Sequence, residues 1–117
     1  AVAKAQIGRV NVTHVLTLTL GHYTHFVIGS FRHKGLHQLF VLGKSSKVGA
    51  NLRDRALRRL DALDAAGVPE HLNVPGFDFH ALRGKPRRYS IHVNGPWCIP
   101  FEWADGDAVR VDLEQYH

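Results

Sequence analysis

Residues 77–117 decide the fold of this chain; they read FDFHALRGKPRRYSIHVNGPWCIPFEWADGDAVRVDLEQYH. Two dipeptides, Asn94-Gly95 and Asp105-Gly106, divide the stretch, and both kinds of pair readily supply the positive φ of tight hairpin turns. Around them, apolar and polar residues alternate in three runs, 89–93, 97–103 and 109–113. Alternation with a period of two gives a strand one apolar and one polar face, so the stretch predicts an antiparallel meander.

Two helical segments precede this predicted sheet. Residues 32–42 place apolar side chains on one side, and Gly43 is suited to end that helix. Residues 51–66 repeat apolar side chains at helical spacing, with Asn51 as the candidate N-cap. A strand over residues 27–31 comes before both helices. The order predicts an α+β fold, in which a small curled antiparallel sheet packs against two N-terminal helices.

The length of 117 residues fits one domain with a small core. Residues 1–26 are harder to interpret, because the β-forming residues at 10–20 agree with either a strand or a loosely attached tail. We therefore expect an N-terminal extension over 1–26 and the folded domain over 27–117. The single Cys98 excludes an internal disulfide, and no run resembles a transmembrane helix or a signal peptide. We expect a cytoplasmic protein.

The formal charge of +5 favours an anionic partner such as nucleic acid, although a merely basic soluble protein has the same composition. The densest group of cations comprises Arg83, Lys85, Arg87 and Arg88. Such cations suit phosphate contacts, and guanidinium groups also stack on unpaired bases. A second basic group lies on the polar side of the second helix, with Arg58 as the candidate RNA contact; its members are Arg53, Arg55, Arg58 and Arg59. A solvated face with local ion pairs explains that group equally well.

The nine histidines invite comparison with metal sites, but a structural zinc needs further ligands at a recognisable spacing, and Cys98 stands alone. We expect neither a metal nor another cofactor. His80 and the terminal Tyr116-His117 pair suit RNA cleavage without a metal. That reaction needs a base for the 2′-hydroxyl, an acid for the leaving oxygen and cations around the phosphorane. A C-terminal histidine, taken alone, is more often just an exposed terminus.

A set of short segments, in this order along the chain, resembles the HigB toxins of the RelE/ParE superfamily. They are SFRHKGL at 30–36, LDALDA at 60–65, LN at 72–73, HALRG at 80–84, SIHVN at 90–94, Trp97, DGD at 105–107 and EQYH at 114–117. No single segment is specific, but the ordered set with the Tyr-His terminus is. The resemblance begins at Val27, which aligns with the usual start of the family, so residues 1–26 are interpreted as upstream sequence.

The resemblance implies a bacterial type II toxin with a role in plasmid maintenance, an endoribonuclease that cuts mRNA on the ribosome. It implies a HigA-like helix-turn-helix antitoxin as partner, which alone contacts operator DNA. The implied roles are proton transfer by His80 and His117, contacts of Tyr116 with a substrate base, and phosphate stabilisation by Arg83. The remaining candidates for RNA contact are Lys85, Arg87, Arg88, Gln115 and Arg58.

Three positions depart from the family pattern. Gln115 replaces an aspartate, Cys98 replaces an arginine, and Pro100 replaces a polar residue where proline favours a sheet edge or a bulge. These departures leave open a degenerate toxin that only binds its antitoxin. A ParE-like inhibitor of DNA gyrase is a further alternative, because the superfamily fold does not decide the function.

Overall fold

The structure is a computed structural model that describes residues 6–7, 10–11 and 28–116. Near the N-terminus, Gln6–Ile7 (β1) pairs antiparallel with Val10–Asn11 (β2). The rest of the 10–20 segment, Val27 and the proposed catalytic His117 lie outside the described residues. Within the described part, neither helix is long and apolar enough to cross a membrane.

Two α-helices form one layer: Lys34–Leu42 (α1) and Ala50–Ala65 (α2), followed by a short 3-10 helix at Pro69–Leu72. The predicted end of α1 is confirmed, because Gly43 adopts a left-handed φ of 82°. The predicted N-cap of α2 is wrong. Gly49 occupies the cap position, so Asn51 lies inside the first turn and makes no cap.

The other layer is a sheet with strands His80–Leu82 (β3), Arg88–Asn94 (β4), Trp97–Ala104 (β5), Asp107–Val109 (β6) and Glu114–Gln115 (β7). The strand order is β3-β4-β5-β6, and β7 also pairs with β5. All these pairings are antiparallel. The α+β prediction, with two helices on a small antiparallel sheet, is confirmed.

Both predicted hairpins are present, but their turns differ. Asp105 and Gly106 have φ values of 54° and 83°, the two consecutive positive angles of a type I′ turn. In the first hairpin, β4 continues through Asn94, which pairs with Trp97 after a shift of register. The turn itself therefore lies one residue later than predicted, at Gly95 and Pro96.

The predicted strand over residues 109–113 is wrong. Arg110 has a φ of 49°, which takes the backbone out of the extended conformation directly after β6. Val111 then forms a parallel bridge with Phe31, in the segment predicted as the first strand. Pairing with β5 resumes only at β7. Among residues 28–31 of that segment, regular pairing with the sheet is limited to this bridge.

Pro100 lies inside β5 rather than at an edge, and the break between β6 and β7 explains how it is tolerated. Its carbonyl accepts a hydrogen bond from the Asp112 amide, so it points to the β6–β7 side of the strand. In a strand, the nitrogen and carbonyl of one residue point to the same side. The N–H that proline lacks is therefore missing where the ladder is already interrupted.

The core lies between the helices and one face of the sheet. Its sheet side consists of fully buried Ile91, Val93, Ile99 and Phe101, at alternate positions of β4 and β5. Its helix side is the apolar stripe Leu52, Ala56, Leu60 and Leu63 of α2. The two helices thus cover this face and leave the other face of β4 and β5 to the remaining parts of the chain.

Candidate active site

The face of the sheet opposite the helices collects the polar residues of β4 and β5; we call it the open face. Antiparallel partners share a face, so the register defines two rows of side chains across it. One row runs His80–Ser90–Pro100, and the other runs His92–Cys98–Glu114. The sequence candidate His80 therefore lies on the open face.

His80 is held by a hydrogen bond from its own chain. Its Nδ1 lies 2.8 Å from the carbonyl oxygen of Asp78. A carbonyl can only accept, so Nδ1 carries the proton in the neutral ring and Nε2 keeps its lone pair. Asp78 has a φ of 46°, an uncommon conformation for a residue with a side chain. The geometry thus leaves His80 with a basic Nε2 that can take up a proton.

Tyr116 reaches the same face from the C-terminal side. Its amide donates to the Pro96 carbonyl at 2.7 Å, and its ring stacks on His92, with 6.4 Å between centroids and 13° between planes. The His92 Nε2 lies 3.0 Å from the Gly95 carbonyl, which fixes the ring under Tyr116. Tyr116 remains 40% exposed. One side of the phenol is therefore supported, and the rest is open to a ligand.

The centre of the open face is polar in composition but dry. Burial raises the pKa of Cys98, and it raises the pKa of Tyr116 as well; interaction with Ser90 opposes both shifts. Ser90 Oγ is buried, yet no described residue gives it a hydrogen bond of ordinary geometry. We therefore regard the three groups as close neighbours rather than a formed hydrogen-bond chain. At neutral pH the thiol and the phenol are both protonated and uncharged.

The predicted cations do not all lie on this face. Arg83, Lys85 and Arg87 are exposed in the loop that joins β3 to β4. Arg83 follows His80 by three residues, so their Cα atoms are roughly 10 Å apart along an extended chain. Arg88 lies on the open face, but its Nη1 is 3.2 Å from Oε2 of Glu114. Of these four, Arg88 is thus already paired with a carboxylate.

Two further candidates point elsewhere. Arg58 is exposed on α2, in the helix layer on the opposite side of the sheet. Gln115 pairs with Trp97, whereas its neighbour Glu114 pairs with Cys98. The register therefore assigns Gln115 to the other face from Cys98. The structure does not bring Arg58 or Gln115 together with His80 and Tyr116.

Arg59 is a residue that the sequence interpretation placed on the solvated side of α2. It is buried, and its guanidinium donates from Nε to the His92 carbonyl at 2.9 Å and from Nη2 to the Gly76 carbonyl at 3.3 Å. It also lies 4.5 Å from the centre of the Phe77 ring. Arg59 follows Ala56 by three residues, and this spacing, which is visible in the sequence, places it on the apolar stripe of α2.

Several histidines have structural partners that do not involve a metal. His33 Nδ1 accepts the Leu36 amide at the start of α1, and His37 stacks on Phe31 with 5.0 Å between centroids. Among residues 6–7, 10–11 and 28–116, no three His, Cys, Asp or Glu side chains are grouped to hold a metal ion.

Comparison with known proteins assigns the chain to a family. Residues 29–117 match the model of the HigB-like toxins, described as RelE-like toxins of the type II toxin–antitoxin system HigB. The chain belongs to the HigB-like toxin family. It is 41% identical over 92 residues to the protein named endoribonuclease HigB of Proteus vulgaris, an alignment of 78% of this chain and 100% of that protein.

A second relative of this HigB-like toxin is the protein named toxin HigB-1 of Vibrio cholerae. The two are 30% identical over 89 residues, which cover 74% of this chain and 94% of the relative. The resemblance inferred from the ordered segments is thereby confirmed. Membership of a type II system also implies a cognate antitoxin as the partner of the chain.

Proposed function

We propose that this HigB-like toxin is an endoribonuclease that cuts mRNA on the ribosome by acid–base chemistry without a metal. The observation that carries the proposal is the placement of His80 and Tyr116 on the sheet face that α1 and α2 do not cover, with His80 held so that Nε2 keeps its lone pair. The name of the Proteus vulgaris relative supports the same chemistry. Cleavage on ribosomes places the action in the cytoplasm.

The reaction needs a base, an acid and a charge stabiliser. His80 Nε2 takes the proton of a ribose 2′-hydroxyl, and the 2′-oxygen attacks the adjacent phosphorus. The bond from phosphorus to the 5′-oxygen of the next nucleotide breaks as that oxygen receives a proton. The products are a 2′,3′-cyclic phosphate and a free 5′-hydroxyl. His117 is the sequence candidate for the proton donor, and its place in the fold is part of the proposal.

Tyr116 and the basic loop serve binding. The phenol of Tyr116 is uncharged at neutral pH, and burial raises its pKa further, so its exposed part can stack on or hydrogen-bond a base without repelling phosphate. Arg83, Lys85 and Arg87 are exposed in one short loop, where their charges attract the RNA backbone. Arg58 lies on the far side of the molecule and Gln115 on the other sheet face, so we assign both, if they touch RNA, to peripheral contacts.

The decisive experiment is cleavage of a reporter mRNA in a reconstituted translation reaction, with the cuts mapped by primer extension. We expect cuts that require ribosomes and that fall at least about 100-fold in rate in His80→Gln and His117→Ala. Arg83→Ala should weaken cleavage less. His71→Gln changes an exposed histidine of the 3-10 helix, away from the open face, and is the matched control.

The alternatives have distinct outcomes in the same system. Cys98 places a neutral thiol at the centre of the open face, which favours a toxin that binds its antitoxin but does not cut. If the folded chain binds a HigA-like antitoxin without cutting mRNA, and Cys98→Arg with Gln115→Asp restores cuts, the proposal fails for the native chain. Inhibition of gyrase supercoiling without any RNA cleavage would instead identify a ParE-like mechanism.

A further inference from the structure

Arg59 connects three parts of the molecule that are distant in sequence. It extends from α2, and its two hydrogen bonds end on the His92 carbonyl in β4 and on the Gly76 carbonyl in the loop before β3. The guanidinium also covers the Phe77 ring. One side chain therefore fixes the end of a central strand to the loop that leads into His80.

The loop held by Arg59 is the one that orients His80. The Phe77 carbonyl accepts the His92 amide at 2.6 Å, so the loop is attached to β4 beside the two Arg59 contacts. The next residue is Asp78, whose carbonyl lies 2.8 Å from His80 Nδ1. The path from Arg59 to the His80 ring thus passes through Gly76, Phe77 and Asp78 along a single short backbone segment.

The same contact supports the second group on the open face. Arg59 holds the backbone of His92, and the side chain of His92 carries the Tyr116 ring. A buried guanidinium is costly unless its donors are satisfied, and here two backbone carbonyls and an aromatic face satisfy it. Arginine suits this position because its planar fork reaches two acceptors at once.

We propose that Arg59 is a positioning residue for RNA cleavage, which fixes the Gly76–Asp78 backbone so that His80 presents a basic Nε2, and fixes His92 beneath Tyr116. The inference rests on the proposed function of His80. In this proposal, a residue on the buried side of α2 contributes to the reaction on the opposite face of the sheet. Arg59 touches no substrate in this arrangement and acts only through the backbone.

The test measures the His80 ring directly, so that it does not depend on cleavage. Long-range proton–nitrogen correlation NMR of histidine-labelled protein distinguishes the two neutral tautomers, and the His80 signals are identified by their loss in His80→Gln. We expect the native protein to show the Nδ1–H form. Arg59→Gln should give a mixture of both forms. Arg55→Gln removes an exposed arginine one turn away on the same helix and should leave the tautomer unchanged.

Cleavage kinetics supply the second readout. At saturating ribosome–mRNA complex, Arg59→Gln should lower the rate constant roughly 10-fold to 100-fold, because small misplacements of a catalytic group have effects of that size. The concentration that gives half the maximal rate should change less than the rate constant does, since Arg59 itself contacts no RNA and reaches the binding side chain Tyr116 only through His92. Arg59→Lys keeps the charge and loses the fork, so it should show intermediate values in both readouts.

The outcomes separate the two proposals. A native tautomer and a native rate in Arg59→Gln would overturn the positioning role. If Arg59→Gln does not fold, the same result in Arg59→Lys overturns it. Loss of the Nδ1–H form in the Arg59 variants, in a chain whose native form cuts no RNA, would support the positioning of His80 while rejecting its catalytic use.

Discussion

The two faces of β4 and β5 are built from alternate residues of the same strands, yet they obey different rules. The helix-facing side is largely apolar, with the fully buried Phe101 at its centre and partly buried aromatic rings around it. The open face contains Ser90, Cys98 and Pro100, which are also buried, although neither α1 nor α2 covers them. On the helix-facing side, apolar side chains are buried and form the core. On the open face, burial keeps polar groups uncharged and away from water beside His80.

The largest effect should follow from a cavity on the helix-facing side. Phe101→Ala removes a fully buried ring, and we expect the free energy of unfolding to fall by about 3–5 kcal/mol. Urea denaturation followed by circular dichroism measures the loss. Tyr116→Phe, on the open face, serves as the control and should change stability by less than about 0.5 kcal/mol. Equal losses in the two variants would contradict the distinction between the faces.

A pH titration should reveal the dry centre of the open face. Because burial raises the pKa of Cys98 in the folded chain, the unfolded chain loses its thiol proton first as the pH rises. The stability that the neutral thiol contributes is complete below about pH 8.5, the ordinary thiol pKa, and is lost as the pH rises through the folded value. Denaturation midpoints from pH 7 to pH 10 should therefore decline less in Cys98→Ala. Parallel curves for the two proteins would show that the thiol is solvated.

Ser90 gives a smaller effect of opposite sign. Its hydroxyl is buried without an ordinary hydrogen bond, so Ser90→Ala should leave the free energy of unfolding unchanged or raise it by up to about 1 kcal/mol. Denaturation measures the change, and exposed Ser46→Ala is the control. A destabilised Ser90→Ala protein would mean that the hydroxyl has a strong partner.

The smallest effect should belong to the ion pair at the rim of the open face. Arg88 Nη1 and Glu114 Oε2 are 3.2 Å apart, but both side chains are about one third exposed. A double-mutant cycle of Arg88→Ala and Glu114→Ala should give a coupling free energy below about 1 kcal/mol. It should shrink further at high salt. A larger coupling would place this pair in the dry centre rather than at its edge.

The sequence predicted those parts of the fold that depend on local chemistry. Asp105-Gly106 forms the expected turn because its backbone angles are set within two residues. The strand over 109–113 was wrong because apolar alternation does not reveal the left-handed Arg110, which tertiary pairing selects. The candidate His80 lies on the open face as a consequence of strand register, but the assignment of catalytic roles stays a prediction. Arg59 was missed because its charge outweighed its position on the apolar stripe.

Because β7 is short, the C-terminal segment that carries Tyr116 is in place on the open face for only part of the time. Two residues pair with β5, and one further amide, that of Tyr116, bonds to Pro96. Few hydrogen bonds and little buried surface permit a segment to open without global unfolding. Amide protons of residues 114–116 should thus exchange with solvent faster than those of β4. Under the proposed function, the fraction of molecules in which this segment is closed would scale the apparent affinity for RNA.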